Sequence, residues 1–414
     1  MVLNSKKIFC ILSFLSTFSS LAMVYDNHLI PVLLARPRLM FDDKQSSCAV
    51  DAFMTTASEA TRETSRDDES SSIPSLFGQF DQRTYADGMV KAGYPNPLRS
   101  EWQGLSIPWL ATGKIQAQGV AFSCYTPLLD NWLSTGFNCL FMRVNTYHYF
   151  KLPSLPALNN DGNRQELDER RRFMFDQVGL THNYSSQVGF GDIDWYLRLG
   201  RRWDYSFKCR SFDIGGRLGT LIPSGKKRDL NNPNSIPFGG NGHWGIYGTI
   251  DGLLELREDL KFGFMVRVSK RFPKISCQRL PVNNEPEPFG IITGLAQVNP
   301  GFTFIFSPLI ALENLREGMG ASIQYTMTKH LQDDWCDART DKTTVPITLG
   351  KINELSKWSS DYFTINVFYD FGKMKVRRSG APILSVRWDV PAALFITDNI
   401  PNMHRVSIGV EWVF

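Results

Sequence analysis

The chain has 414 residues, of which 43% are hydrophobic and 21% are charged, and its formal net charge is +4. A nucleic-acid binder normally carries a stronger and more clustered basic signal, so we expect no nucleic-acid partner. Beyond the first 22 residues, no segment holds the roughly 20 apolar residues that a membrane-spanning helix needs. Length alone would suggest two or three soluble domains, but a large β-barrel reaches the same length as a single unit.

The N-terminus predicts a secretory signal. Lys6 and Lys7 form its positive region, residues 8–18 are apolar apart from small hydroxyl side chains, and Ser20-Leu21-Ala22 provides a small-x-small cleavage site. We expect cleavage after Ala22, with a retained N-terminal anchor as the alternative. The chain then divides into a signal peptide at 1–22, an N-terminal periplasmic segment at 23–47 and a transmembrane β-barrel at 48–414.

Six cysteines remain after this cleavage, and an exported protein can pair them. They are scattered along the chain at Cys48, Cys124, Cys139, Cys209, Cys277 and Cys336. Their spacing fits no zinc site, so we expect no metal and no other cofactor. Structural disulfides or buried thiols are the preferred interpretation.

Several segments alternate apolar and polar residues with a period of two, as a barrel wall does. In the last segment, one face carries Val406, Ile408, Val410, Trp412 and Phe414, and the other carries Arg405, Ser407, Gly409, Glu411 and Val413. The same alternation occurs at 193–200, 212–222, 260–269 and 384–390. A soluble β-sandwich is the alternative. Glycines in mid-strand on the polar face and aromatic residues near strand ends favour the membrane barrel.

The predicted fold class is therefore all-β, a transmembrane antiparallel β-barrel of about 12 strands (12–14) with long outer loops and short periplasmic turns. The predicted strands are 48–60, 113–125, 132–147, 190–200, 207–222, 245–256, 260–271, 289–311, 318–330, 361–371, 382–391 and 402–414. Long and short connections alternate between them, which places both termini in the periplasm and predicts an even strand count. Pro300 interrupts 289–311, and we interpret this segment as one bent strand.

The polar faces of these strands supply the candidate lumen-lining residues. Five are basic and five are acidic: Arg198, Arg217, Arg267, Arg387, Arg405, Asp194, Asp213, Glu255, Asp389 and Glu411. Equal numbers argue against strong ion selectivity, although local clustering of one sign would create it.

Two stretches resemble known outer-membrane barrels. The closing segment 406–414, with Val410, Trp412 and the terminal Phe414, resembles the signal that the outer-membrane assembly machinery reads. Segment 189–257 resembles the long-chain fatty-acid transporter and its relatives for aromatic compounds. It has Gly189-Phe190-Gly191-Asp192 at a strand start, Ile222-Pro223-Ser224-Gly225 at a strand end and a loop beginning Gly239-Gly240-Asn241-Gly242. This resemblance implies a route for hydrophobic compounds.

Three further features of the sequence bear on possible chemistry. Residues 219–227 superficially resemble a phosphate-binding loop, but five residues separate the glycines and Lys227 stands where a hydroxyl is required. His330 with Asp333 and Asp334 would suit an acid-oriented base, although a solvated loop histidine is the preferred interpretation. Residues 164–177 predict a charged helix, either a constriction element in the lumen or a solvated surface helix. We expect no catalytic residue and no enzyme.

The predicted function is passive passage of a small or hydrophobic solute through the bacterial outer membrane. A plugged structural or adhesive barrel that only displays its loops is the alternative, and an outer-membrane hydrolase ranks third. The expected partners are outer-membrane lipids, the assembly machinery and the solute.

Overall fold

The structure, a computed structural model, describes residues 27–30, 45–62, 71–129, 132–153, 161–180, 183–205, 209–373 and 380–414. The predicted signal peptide at 1–22 lies outside these residues. The strands, in chain order, are β1 (Ser47–Ala57), β2 (Glu59–Thr61), β3 (Ser71–Ser72), β4 (Phe80–Asp81), β5 (Pro108–Leu129), β6 (Leu133–Lys151), β7 (Tyr184–Phe190), β8 (Ile193–Asp204), β9 (Ser211–Ile222), β10 (Gly245–Glu255), β11 (Leu260–Arg271), β12 (Lys274–Leu280), β13 (Ile292–Asn299), β14 (Phe302–Arg316), β15 (Met319–His330), β16 (Asp334–Asp337), β17 (Trp358–Asp370), β18 (Pro382–Pro391), β19 (Ile400–Pro401) and β20 (His404–Val413). The α-helices are α1 (Gln82–Lys91), α2 (Asp161–Gln177) and α3 (Gly350–Leu355).

A closed antiparallel barrel forms the body of the molecule. Its wall runs β1–β5–β6–β8–β9–β10–β11–β14–β15–β17–β18–β20, and β20 pairs back onto β1. β7 and β8 pair with successive parts of β6, so they form one wall strand with a break at residues 191–192. Within the described ranges the wall therefore has twelve strands, which confirms the predicted even count. All polar backbone groups of such a wall find partners within it, as a membrane requires.

The segment around Pro300 differs from its prediction. Residues 292–299 do not belong to the barrel wall, because β13 pairs with β12 and β16 in a separate three-stranded sheet. Only β14, which begins at Phe302, continues the wall. The interpretation of 289–311 as one bent strand was wrong, since proline removes the ladder donor at the point where the two sheets separate. The predicted number of wall strands is still correct, because β13 lies outside the wall.

The faces of the wall strands agree with the predicted alternation. On β11, Phe262, Phe264, Val266 and Val268 are exposed, whereas Arg267 and Ser269 face inwards and are buried. The same pattern holds on β8, β9, β18 and β20. No helix in the described part of the chain is long and apolar enough to cross a membrane.

The long connections build a compact cap over one end of the barrel. We define the cap as the described parts of 71–107, 152–180, 272–301 and 331–357. Its core is aromatic and aliphatic, with Phe80 and Tyr85 around α1, Leu167 on α2 and Phe289 from the third segment. α2 contains the predicted charged helix. The helix is not fully solvated, because one of its faces is buried in this core, and its role as a constriction element stays a prediction.

Cys48 and Cys124, which lie opposite each other on β1 and β5, form a disulfide. Cys139 is buried and free, Cys209 is partly buried, and Cys277 and Cys336 are exposed on the three-stranded sheet. One structural disulfide and one buried thiol therefore agree with the expectation for these cysteines.

Candidate functional site

A loop folds into the barrel interior and packs apolar side chains against one part of its wall. We call residues 223–244, between β9 and β10, the plug loop. Its Ile236 and Phe238 are buried against the inward faces of β5 and β6. The wall contributes Ile115, Ala117, Leu140, Met142 and Val144 to this apolar layer. The lumen thus contains an apolar layer on the side of β5 and β6, where a water-filled pore would be lined with polar groups.

Asp192 holds the plug loop in this position. It occupies the break between β7 and β8, and its carboxylate accepts hydrogen bonds from the backbone N–H groups of Gly225 (3.1 Å) and Gly240 (2.7 Å). Arg271 at the end of β11 forms an ion pair with the same carboxylate at 2.8 Å. The three motif pieces that carry the transporter resemblance therefore converge on one buried carboxylate.

The glycines of these motifs are required by close approach. A Cβ atom on Gly225 would collide with the carbonyl of Phe238, and one on Gly240 would collide with the Arg271 guanidinium. Gly239 also has φ +120°, a region that L side chains rarely adopt, and its Cβ would meet the Asp192 carboxylate. The Gly-rich sequence thus allows the backbone to wrap around Asp192.

Charged side chains fill the interior below the plug loop as paired networks. Arg198 binds Asp213 and also Asp251, the latter at 2.9 Å, and Arg217 binds Asp251 at 3.0 Å. Arg267 lies 3.5 Å from Asp194. Because buried charges are stable only when paired, these networks keep the charges in the barrel interior.

The other predicted lumen-lining residues also point inwards. Arg405 binds Asp389 at 2.7 Å, and Arg387 is buried on the same side of β18. Glu255 lies near the end of the barrel that carries the short turns, where Arg202 and Ser211 contact it. Glu411 is half-buried on β20. All ten candidates thus have the inward parity of their strands, and their role in lining a conducting path stays a prediction.

A cavity of about 200 Å³ lies on the cap side of the apolar layer. Its walls come from four regions: the cap, the plug loop, the rim of the barrel and residues Asn27–Leu29. Most of its exposed lining is apolar, including Phe77, Ile352, Leu355 and Trp358, and three histidines and several charged groups interrupt it. Such a mixture suits a small, mainly apolar molecule with one polar group.

Part of the N-terminal segment contacts this cavity. The Asn27 side-chain amide donates to the carbonyl of Pro237, and Leu29 and Ile30 are buried in the apolar layer. His28 contacts the ring of Phe77 at 5.4 Å. Burial, followed by the nearby His330, lowers the pKa of His28 to about 4, so this histidine is neutral near pH 7. The predicted division into signal, periplasmic segment and barrel stays a prediction, and four of the residues assigned to the periplasmic segment lie against the plug loop.

His330 belongs to a hydrogen-bonded series at the cavity wall. Its Nδ1 lies 2.8 Å from the Thr303 hydroxyl, and its Nε2 lies 2.9 Å from a carboxylate oxygen of Asp333. Its ring stacks on Trp358. Asp334 does not join this series, because it is exposed on β16. Thr303, His330 and Trp358 are register partners on three adjacent wall strands, which by itself accounts for their proximity.

Sequence reasoning missed several residues of this interior. Ile236, Phe238, Arg271 and His28 were not predicted, because their positions depend on how two connections fold back into the barrel. Asp251 was also missed, although its inward parity on β10 was a usable signal. The residues Val410, Trp412 and Phe414 lie on the outward-facing parity of the C-terminal segment, and their role in assembly stays a prediction. No cluster of three or more possible metal ligands occurs among the described residues.

Several solved structures are similar to this chain. The chain is similar to the COG4313 outer membrane channel from Pseudomonas putida F1, with a TM-score of 0.50, 10% identity and coverage of 92% of this chain and 100% of the other. It is also similar to a FadL homologue of Pseudomonas aeruginosa, with a TM-score of 0.32, 9% identity and coverage of 90% and 89%. The Pseudomonas putida toluene transporter TodX gives a TM-score of 0.30, 9% identity and 90% coverage of both chains. No family model and no curated protein matches the sequence.

The first of these similarities agrees in fold with the barrel described above. A closed antiparallel barrel with an apolar exterior and a polar, charged interior is an outer-membrane β-barrel. The protein accordingly resides in the bacterial outer membrane.

Proposed function

We propose that the protein is an outer-membrane channel that admits small, uncharged and mainly hydrophobic solutes and excludes ions. The observation that carries this proposal is the apolar layer inside the barrel. A hydrated ion would have to lose water in order to cross Phe238, Ile236 and the apolar wall residues opposite them. A hydrophobic solute would gain free energy from the same contacts.

The cavity provides a resting place for such a solute above the apolar layer. Trp358 contributes aromatic surface to the lining, and polar lining side chains such as Gln278 can exchange hydrogen bonds with one polar group of the solute. In this scheme Asp192 and Arg271 act as positioning residues, because they hold the plug loop, and Arg271 also forms part of the cavity wall. Passage then requires a displacement of Phe238 and Ile236 without breakage of the wall.

Solute uptake by proteoliposomes tests this proposal. We expect the full chain to pass neutral hydrophobic solutes at a higher rate than sugars or ions of the same size. Ile236→Ala combined with Phe238→Ala should raise small-ion conductance at least tenfold, because the dehydrated layer is shortened. The matched control is Ile250→Ala combined with Val266→Ala, which removes apolar side chains from the exposed outer face. Equal conductance of both double variants would contradict the proposal.

The second candidate function is a closed structural barrel, which the well-packed cap favours. It predicts that the folded chain passes none of the solutes and that removal of the plug side chains has no effect on uptake. The third, hydrolysis at the Thr303–His330–Asp333 series, predicts ester cleavage that His330→Gln abolishes. Both readouts use the same proteoliposomes, so one experiment separates the three functions.

A further inference from the structure

The outward face of the wall carries two lysines at the upper end of its apolar band. On β14, the outward residues Phe302, Phe304, Phe306, Ile310 and Leu312 are all exposed and apolar. Ten residue steps correspond to about 34 Å along a strand, or about 26 Å in height at a tilt of 40°. That height equals the apolar band of an outer-membrane barrel, so Phe302 marks the edge of the band on the cap side.

Lys270 and Lys329 flank this edge. Lys270 on β11 is the register partner of Phe302, and Lys329 on β15 is the register partner of Phe304. Strand spacing and rise place the two Cα atoms about 12 Å apart, a separation that two extended lysine side chains can close. The Lys270 ammonium lies 4.9 Å from the centroid of the Phe302 ring and donates to the carbonyl of Pro300, while Lys329 is exposed.

We propose that Lys270, Phe302, Phe304 and Lys329 form a binding site for one phosphorylated lipid of the outer leaflet, with lipopolysaccharide as its occupant. The ammonium groups stand at the level of lipid phosphates, where anionic headgroups attract basic side chains. The exposed faces of Phe302 and Phe304 continue downwards from the lysines and contact the acyl chains. Aromatic and basic residues at this depth are the usual interfacial anchors of membrane proteins.

The geometry favours a lipid over free phosphate. The lysines bracket an apolar surface, and the outward side chains below them remain apolar down to Leu312. A free phosphate would use only the ammonium groups, whereas a lipid would bury the phenyl rings as well. Substitution of Phe302 and Phe304 therefore distinguishes a bound lipid from free phosphate.

Native mass spectrometry of the full chain in detergent tests this site with purified lipopolysaccharide as the probe. We expect the wild type to retain one lipopolysaccharide molecule and the Lys270→Gln, Lys329→Gln double variant to lose affinity at least fivefold. Lys91→Gln with Lys151→Gln is the matched control, because it removes two exposed lysines on α1 and β6, away from the surface of β11, β14 and β15. An equal loss in both double variants would overturn the proposal, since it would reflect net charge alone.

Phe302→Ser with Phe304→Ser separates lipid from phosphate. The proposal expects weaker lipopolysaccharide binding in this variant and no displacement of the lipid from the wild type by millimolar inorganic phosphate. Full displacement by inorganic phosphate, or unchanged lipid binding after loss of both rings, would assign the lysines to free phosphate and overturn the lipid site. A heat-modifiable gel shift identifies folded chains, and only these are compared.

Discussion

The barrel and its cap arrange the same residue types in opposite ways. The wall has exposed apolar residues such as Phe264 and Val266 on its outside and charged residues such as Arg267 inside. The cap encloses Phe80, Leu167 and Phe289 and exposes charged side chains such as Arg172 on α2, while a few charged groups, Arg279 among them, are buried and hydrogen-bonded inside it. Lipid surrounds the wall and water surrounds the cap, so each region presents the surface that matches its solvent. The direction of the apolar face therefore indicates the solvent around each region.

Disruption of the interior charge network should cause the largest fall in the free energy of unfolding of the wall. Arg198→Met leaves Asp213 buried without its ion-pair partner and removes one of the two arginines at Asp251. Loss of one partner from a buried pair costs about 3–5 kcal/mol, so we expect a fall of this size in the free energy of unfolding. Denaturation in lipid vesicles measures it. Asp213→Asn added to Arg198→Met should restore part of the loss, and no restoration would contradict the network.

The outer face of the wall gives the next largest effect. Phe264→Arg places a charge in lipid and should lower the free energy of unfolding by about 2–4 kcal/mol. Met265→Gln, one residue along β11, faces inwards opposite Asp251 and should cost much less. Both substitutions share strand and depth, and Phe264→Gln, compared with Met265→Gln, separates the effect of orientation from that of the introduced charge. If Met265→Gln were the more damaging, the inward and outward faces of β11 would be reversed.

The cap should respond to the loss of Arg279 without an effect on the wall. The Arg279 guanidinium donates to the carbonyls of Val178 and Gly290, both at 2.9 Å, and to that of Leu230 in the plug loop. Arg279→Met leaves these carbonyls without a donor, at a cost of about 1–3 kcal/mol each. Hydrogen exchange should accelerate in the cap and the plug loop while barrel protection stays unchanged. Arg83→Met, on the exposed face of α1, is the control; equal acceleration there would contradict the role of Arg279.

The N-terminal residues should show the smallest effect, one that depends on pH. Burial lowers the pKa of His28 to about 4. When residues 27–30 leave the cavity, His28 is exposed and takes up a proton near pH 6.5, whereas the buried His28 stays neutral at that pH. The packed position of residues 27–30 is therefore fully stable above pH 6.5, and it loses stability as the pH falls towards 4. Hydrogen exchange of residues 27–30, corrected for the intrinsic rate, measures this change. His28→Gln should remove the pH dependence, and its persistence would assign it to another group.

The extent to which the sequence predicts the structure differs between the barrel wall and the cap. The wall was predictable because lipid imposes a period of two on every strand, and segments such as 260–271 and 404–413 show that period directly. The cap was not, since its core joins Phe80, Leu167 and Phe289 across three separate connections and no short-range pattern encodes such contacts. The plug loop lies between these cases. Its glycines were visible, but their closest neighbours, Asp192 and Arg271, became apparent only in three dimensions.

Closure of the barrel by β20 on β1 has a consequence for biogenesis. The pairing from Ser47 with Val413 to Thr56 with His404 joins nearly the two ends of the folded chain. Such a topology has a high contact order, and every shorter nascent chain presents two unpaired sheet edges. Unpaired edges and exposed apolar surface make partly synthesised chains prone to aggregation. The wall can therefore be completed only after β20 has been synthesised, and we expect the chain to need a holding chaperone on its way to the membrane.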